Sequence, residues 1–333
     1  MNKYTAGIMI VAVLAMAGLG AWYLTSQPST YSGTPESITI GLSNYEHFAL
    51  IYVAEDQAYF SKNGLNVTVR NYETVTDATK GLENNEVDIS VPTEYVVLLG
   101  AFKKENISVI GCIDKFQAVF VVGRKDHDIV NITDLKGKKI GLTRGTQSEF
   151  NLGRFLDLNG LSLQDVTLVD IPPSQYLDAL VNGSVDSIVA VQKYVDLSKE
   201  QLGNNLVIWS TQSSQKGYMV LAGRNDWIAS HPEMISRLLT SLIQAEDYII
   251  YHPDEAKAIV QKRLNYSDAF MAAIWPYHEY SLTLDQSLLL AMNDEGRWMI
   301  NNNLTNATTL PDFSRYVYTQ GLMEVKPEAV NIR

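Results

Sequence analysis

The chain is poor in cysteine, with Cys112 as its only one in 333 residues. A single cysteine has no partner within the chain, so an internal disulfide is excluded. Cys112 lies in the apolar run 107–113, which predicts a buried thiol on a strand rather than a reactive one. Because no cysteine lies near the N-terminus, a lipoprotein anchor on a processed cysteine is also excluded.

Catalytic and nucleotide-binding motifs are lacking as well. The sequence contains no H-E-x-x-H, G-x-S-x-G or G-x-x-x-x-G-K-[ST] motif, and no His, Cys and Asp residues at metal-ligand spacing. We therefore expect a protein that is not an enzyme and that has no metal ion and no cofactor. Any ATPase that works with it must be another chain.

Positive charge is in deficit, with 26 Lys and Arg against 37 Asp and Glu and a net charge of −11. Nucleic acids and anionic membrane surfaces select basic faces, so neither is an expected partner. After the N-terminal segment roughly 300 residues remain, enough for one large or two medium-sized domains.

One apolar segment, residues 6–24, carries no charge, and Lys3 precedes it. Its length is closer to a spanning helix of about 20 residues than to a secretory apolar region of about 7–15, which favours an uncleaved anchor. Small residues at Gly18 and Gly20 leave a cleaved signal as the alternative. Lys3 places residues 1–5 in the cytoplasm, so the linker 25–36 and everything after it are expected at the outer face of the cell membrane, or secreted or periplasmic after cleavage.

Seven N-glycosylation sequons suit an exported glycoprotein. They begin at Asn66, Asn106, Asn131, Asn182, Asn265, Asn303 and Asn306.

The rest of the chain contains the same pattern twice, about one hundred residues apart. Four pairs of segments match in order: 40–43 with 140–143, 63–69 with 159–169, 82–88 with 180–186, and 122–126 with 222–226. Each half reads as a β-run, a helix ending at Asn-Gly, a β-run, a second helix and a third β-run. This alternation predicts βαβ units with a parallel sheet in two similar α/β lobes.

The repeat also predicts the domain boundaries. We expect residues 37–122 to form the first part of lobe 1, residues 123–222 to form lobe 2, and residues 223–333 to return to lobe 1 as a mainly helical segment. The chain is expected to cross between lobes near Gly123 and Gly223. Pro232 and Pro253 each precede acidic residues, which predicts two helix starts.

Several motifs resemble those of one protein family. Residues 52–65, Tyr-Val-Ala-Glu-x-x-Ala-Tyr-Phe-x-x-Asn-Gly-Leu, resemble the opening signature of the nitrate/sulfonate/taurine and thiamine-pyrimidine type solute-binding proteins, the NMT1/THI5-like family. Residues 82–88, 134–141 and 253–264 are similar to its L-x-x-G-x-V-D stretch, its D-L-K-G-K-K-I-G stretch and its C-terminal helix. The resemblance covers residues 38–330.

The resemblance implies a bilobal α/β fold of the periplasmic-binding-protein type II class, with a two-segment hinge. It further implies an extracytoplasmic solute-binding protein of an ABC importer, which holds a small solute between its lobes and delivers it to a permease that a separate ATPase drives. We expect the protein to be a monomer.

The predicted ligand site lies beyond the carboxyl ends of the strands, where loops lead into helix N-termini that attract anionic groups. The loop after the first strand of lobe 2 is the best candidate, because Gly145 permits a tight turn and nearby hydroxyls suit an oxyanion. The candidate ligand-binding residues are Asn44, Tyr45, Glu46, His47, Phe48, Thr93, Glu94, Phe116, Thr146, Gln147, Ser148, Glu149 and Gln192.

Two ligand classes fit these loops. A sulfonate of the taurine kind would place its anion at the helix start 146–148 and its ammonium on a carboxylate. An aminopyrimidine or thiamine precursor would stack on tyrosines and donate to Glu46 or Glu94. A ligand-sensing module that acts with a signalling partner remains the alternative to transport.

Overall fold

The computed structural model describes residues 31–212 and 215–332. The expected anchor or signal segment, residues 6–24, lies outside these ranges. Among the described residues, no helix combines the length and apolarity needed to cross a bilayer.

The first part of the chain alternates strands and helices, as the repeat predicts. Its elements are β1 (Glu36–Leu42), α1 (Ala49–Asp56), α2 (Tyr59–Lys62), β2 (Leu65–Asn71), α3 (Val75–Glu83), β3 (Ile89–Ser90), α4 (Glu94–Lys103) and β4 (Ile107–Phe116). Cys112 lies buried on β4, where its thiol donates to the carbonyl of Asp114, so the predicted strand thiol is confirmed.

The middle of the chain repeats this alternation. Its elements are β5 (Val119–Arg124), β6 (Lys139–Leu142), α5 (Gln147–Leu158), β7 (Thr167–Asp170), α6 (Tyr176–Val181), β8 (Ser187–Val191), α7 (Gln192–Leu202) and β9 (Leu206–Ser210). The Asn-Gly helix ends are confirmed: Gly64 and Gly160 follow α2 and α5 with φ of 71° and 74°, a left-handed conformation that glycine adopts without strain.

The last part is mainly helical. Its elements are β10 (Gly217–Arg224), α8 (Asn225–Ser230), α9 (Pro232–Tyr251), α10 (Pro253–Leu264), α11 (Asp268–Ile274), β11 (His278–Glu279), α12 (Gln286–Asn301) and α13 (Gln320–Val325). The two predicted helix starts at Pro232 and Pro253 are confirmed. Helix α9 packs on the first part of the chain, where the Asn63 amide donates to Ser241 and Gln244.

Two mixed sheets form among the described residues. One has six strands in the order β11-β4-β10-β3-β1-β2, and the other has five in the order β7-β6-β8-β5-β9. In each, a parallel trio is centred on an opening strand: β2-β1-β3 and β7-β6-β8. We call the six-stranded sheet with its helices the first lobe and the five-stranded sheet with its helices the second lobe.

The predicted parallel βαβ units are present, but each sheet is mixed, because one strand in each lobe arrives from the other lobe. Strand β10 pairs antiparallel with β3 and β4, and β5 pairs antiparallel with β8 and β9. These exchanged strands carry the last pair of matching segments in the repeat. A strand entering from across the hinge runs opposite to the βαβ units beside it.

The crossings between the lobes also differ from the expected positions. Gly123 lies inside β5 of the second lobe and Gly223 inside β10 of the first, and both pair within those sheets. The chain crosses before each strand, at residues 117–118 and between β9 and β10. The repeat matches the ends of the exchanged strands, whereas the crossings precede their beginnings.

Candidate functional site

A cavity of about 420 Å³ lies between the lobes and is lined from both of them. Its apolar wall includes Val96, Phe116 and Met219. Tyrosines from both lobes also line it: Tyr45 from the first, and Tyr176 and Tyr194, whose rings lie 5.3 Å apart, from the second. The volume and the mixture of apolar and convergent polar groups are typical of a small-molecule site.

The N-termini of three helices open onto this cavity. The residues that precede α3, α4 and α5 are Thr74, Thr93 and Thr146, and all three line the cavity. A helix N-terminus presents unpaired backbone N–H groups and about half a positive charge. Thr74 caps α3, whereas α4 and α5 have no side-chain cap, so the N-termini of α4 and α5 favour an anionic group.

The loop that leads into α5 was predicted to be the best candidate, and it lines the cavity from residue 143 to residue 148. Gly145 has φ of +69°, the left-handed turn that was expected there. The Thr146 hydroxyl donates to the Thr143 carbonyl at 2.7 Å instead of capping the helix. The first-turn N–H groups of α5 are thus left without an N-cap side chain.

Two basic residues of the cavity wall were not among the predicted site residues. Lys80 lies on α3, and its ammonium is 3.1 Å from the Asp77 carboxylate. Arg144 precedes Gly145 and is half-exposed. Arg144 could have been found from the sequence, because it lies within the best candidate loop.

Seven of the thirteen predicted site residues line the cavity: Tyr45, His47, Thr93, Phe116, Thr146, Gln147 and Ser148. The other six do not line the cavity. Their hydrogen bonds and burial, described next, explain why.

Glu149 is buried and turned toward its own loop. Its carboxylate accepts from the Arg144 guanidinium at 2.9 Å and from the Gly145 N–H at 2.8 Å. The prediction that Glu149 contacts the ligand is therefore replaced by an indirect role, because this carboxylate orients Arg144.

Glu94 is fully buried at the start of α4. It accepts from Gln147 Nε2 at 2.6 Å and from the Tyr218 N–H at 3.0 Å, and burial raises its pKa to about 8. The carboxylate that was predicted to bind an ammonium or a ring N–H is thus occupied by protein donors.

Glu46 lies behind the cavity wall in a buried cluster with His278 and Tyr266. Tyr266 donates to it at 3.2 Å, and His278 Nε2 is 3.6 Å away. Burial raises the pKa of Glu46, but His278 and His47 outweigh this and hold it below its usual value.

His47 reaches the cavity in front of this cluster. Its Nδ1 donates to Asp114 Oδ2 at 2.7 Å, and His278 Nδ1 donates to the same oxygen at 2.8 Å. Burial lowers the pKa of His278, but Asp114 and Glu46 raise it more, to about 9. Since Nδ1 of His47 is engaged, Nε2 is the ring nitrogen left for a ligand.

His47, Asp114 and His278 bring their donor atoms within 4.8 Å of one another, which is the composition of a small metal site. The sequence spacing gives no sign of this cluster, because the three residues come from separate elements. The two imidazoles donate hydrogen bonds to Asp114 Oδ2.

The remaining three predicted site residues have local roles. Phe48 is buried in the core, Asn44 is exposed, and the Gln192 amide donates to Asp196 one turn along α7. None of the three lines the cavity.

Comparisons with known proteins agree with this geometry. Residues 45–256 match the family model described as NMT1/THI5 like. The "Putative aliphatic sulfonates-binding protein" of Bacillus subtilis is 25% identical over 256 residues, covering 75% of each chain. The 4-amino-5-hydroxymethyl-2-methylpyrimidine phosphate synthase of Aspergillus parasiticus is 23% identical over 63% of this chain and 65% of its own.

Among solved structures, the alkanesulfonate-binding protein SsuA from Xanthomonas axonopodis pv. citri, bound to MOPS, superposes with a TM-score of 0.73 at 15% identity, covering 86% of this chain and all of that one. At this identity the likeness shows the fold alone. The expected periplasmic-binding-protein fold is thus confirmed for the described residues.

Proposed function

We propose that this chain, which belongs to the NMT1/THI5-like family, is the extracytoplasmic solute-binding protein of an ABC importer. It would bind a small organic anion between its lobes. A permease would receive the solute, and a separate ATPase would drive uptake. The observation that carries the proposal is the convergence of three helix N-termini on one inter-lobe cavity. The sulfonate-binding relative supports this ligand class.

A sulfonate suits this cavity because its three oxygens accept hydrogen bonds from several directions at once. The N–H groups at the start of α5 and the Arg144 guanidinium supply donors on one side. The apolar part of the ligand would lie against Phe116 and Met219. For a taurine-like ammonium, Glu73 is the carboxylate at the cavity wall, since Asp77 is paired with Lys80 and Glu94 and Glu149 accept from other protein donors.

A titration tests this proposal. Residues 32–333 are titrated calorimetrically with ethanesulfonate, taurine and MOPS. We expect saturable binding of at least one sulfonate, and a loss of about tenfold or more in Arg144→Gln, because a charge-assisted bond contributes about 1.5–3 kcal/mol. Arg154→Gln is the matched control, since Arg154 lies on α5 outside the cavity lining. Binding that is unchanged in Arg144→Gln would contradict the site assignment.

Binding of an aminopyrimidine by the same mechanism is the second candidate. The close pair of Tyr176 and Tyr194 offers a stacking surface, and His47 Nε2 lies at the same cavity. A pyrimidine-synthesising relative supports it. In the same titration, binding of an aminopyrimidine without binding of any sulfonate would favour this candidate.

A further inference from the structure

A buried carboxyl pair lies where the two lobes meet beside the cavity. Glu94 begins α4, Glu295 lies on α12, and the side chains of both are fully buried in the first lobe. Gln147 begins α5 in the second lobe and lines the cavity. Its amide donates to Glu94 Oε1 at 2.6 Å. This hydrogen bond therefore joins the lobes at the cavity wall.

Burial has the largest effect on the pKa values of this pair, and the interactions with the next largest effects include no cation. They come from the Tyr218 N–H, the Gln147 amide, Asp294 and the two carboxyls themselves. Within the described part of the chain, neither oxygen of Glu295 has a hydrogen-bond partner. Two ionised carboxylates in a dry site without a cation repel each other strongly, so the pair must hold at least one proton.

Aromatic side chains from both lobes pack beside the pair. The Phe150 ring of α5 lies 5.3 Å from the Trp298 ring of α12 and 6.4 Å from the Tyr95 ring of α4. A Cβ at Gly153 would approach Trp298 to 2.2 Å, which shows how closely α5 and α12 pack. Separation of the lobes would hydrate both carboxyls.

We infer that Glu94 and Glu295 are positioning residues that act on the ligand through Gln147, and that closure of the lobes over an anionic solute takes up a proton at this pair. The inference rests on the proposed function for its ligand. Solute binding and proton uptake would then be linked through a single inter-lobe hydrogen bond.

The direction of the pH effect follows from the two states. A hydrated glutamate titrates near pH 4.5, whereas burial raises the pKa of Glu94 to about 8 in the closed form and, with Glu94 beside it, raises that of Glu295 well above its usual value. The proton-linked stabilisation of the closed form is therefore fully present below pH 4.5 and is lost as the pH rises through about 8. One proton per closure weakens binding by up to about tenfold per pH unit in that window.

Other titratable groups face the pair from the elements packed around it. They are Tyr95 of α4, Cys112 of β4, Tyr218 of β10 and Asp294 of α12. All of them remain in Glu295→Gln, so the difference between this variant and the wild-type protein isolates the pair.

The first experiment measures the dissociation constant of the tightest-binding sulfonate between pH 5 and pH 8. We expect affinity to fall with pH in the wild-type protein and in Glu324→Gln, an exposed acid on α13 of the first lobe. In Glu295→Gln the slope should flatten, because the amide donates to Glu94 without a proton from solution. An equal slope in Glu295→Gln and wild type would overturn the inference while leaving the proposed function intact.

A second experiment needs no ligand. Spin labels at Lys103→Cys and Glu200→Cys, one exposed position on each lobe, report the inter-lobe distance, and the buried Cys112 stays unlabelled. We expect more of the short distance at pH 5 than at pH 8 in the otherwise wild-type protein, and no such change with Glu295→Gln. Inter-lobe distances that do not change between pH 5 and pH 8 would overturn the inference. If no solute binds but closure still follows pH, the proposed function and the link to a ligand fail, and only the proton-linked closure stands.

Discussion

His47 Nδ1 donates to Asp114 Oδ2 at 2.7 Å, and this bond joins the ligand cavity to a buried chain of charged groups. Asp114 also accepts from His278, whose other nitrogen faces Glu46. Two carboxylates thus share a buried imidazolium behind the cavity wall. Of the described residues in this buried cluster, His47 is the only one that lines the cavity.

Asp114→Asn should be strongly destabilising. The amide cannot balance the buried charge of His278, and an uncompensated buried charge typically costs about 3–5 kcal/mol. We expect a loss of this size in the free energy of unfolding, measured by urea denaturation at pH 7. Glu86→Gln, which alters an exposed ion pair with Arg70, is the control and should change stability by less than about 1 kcal/mol. Equal effects in the two variants would contradict the role of Asp114 in balancing the buried charge of His278.

Stability should fall at alkaline pH because of His278. Its pKa is raised from 6.5 to about 9, so the stabilisation that it contributes is fully present below pH 6.5 and is lost as the pH rises through about 9. The shift corresponds to about 3 kcal/mol. The free energy of unfolding is measured by urea denaturation between pH 6.5 and 9.5. In His278→Gln it should not show this decrease with pH, although the variant is less stable at every pH. Parallel curves for the variant and the wild-type protein would refute the assignment.

Gly153→Ala should disturb the contact between the lobes. The added Cβ would meet the Trp298 ring at 2.2 Å, and overpacking of this kind costs about 1–3 kcal/mol. We expect a lower melting temperature and an altered fluorescence emission from Trp298. Leu158→Ala, at an exposed position of the same helix, is the matched control. If the variant is as stable as the control, α5 and α12 can accommodate the added methyl group without a loss of stability.

The N-terminal segment is tested by cell fractionation. Full-length protein should stay with the membrane fraction, whereas residues 32–333 should be released, because about 20 apolar residues suffice for a spanning helix. Release of a shortened full-length product would instead favour the cleaved signal.

Much of the architecture could be predicted because it depends on local sequence. Gly64 and Gly160 mark helix ends that need a left-handed residue, and Pro232 and Pro253 mark helix starts. The duplicated segments predicted two α/β lobes, and the two sheets have matching parallel trios. The strand–loop–helix order also identified the loops at which the cavity lies.

The tertiary structure decided which side chains of those loops face the cavity. Glu46, Glu94 and Glu149 were expected to face it, but distant or loop donors occupy each of them: Tyr266, Tyr218 and Gly145. The exchange of β5 and β10 between the lobes likewise depends on pairing across more than 60 residues. Sequence periodicity reports the faces of one element, whereas charge compensation and strand exchange arise only when separate elements meet.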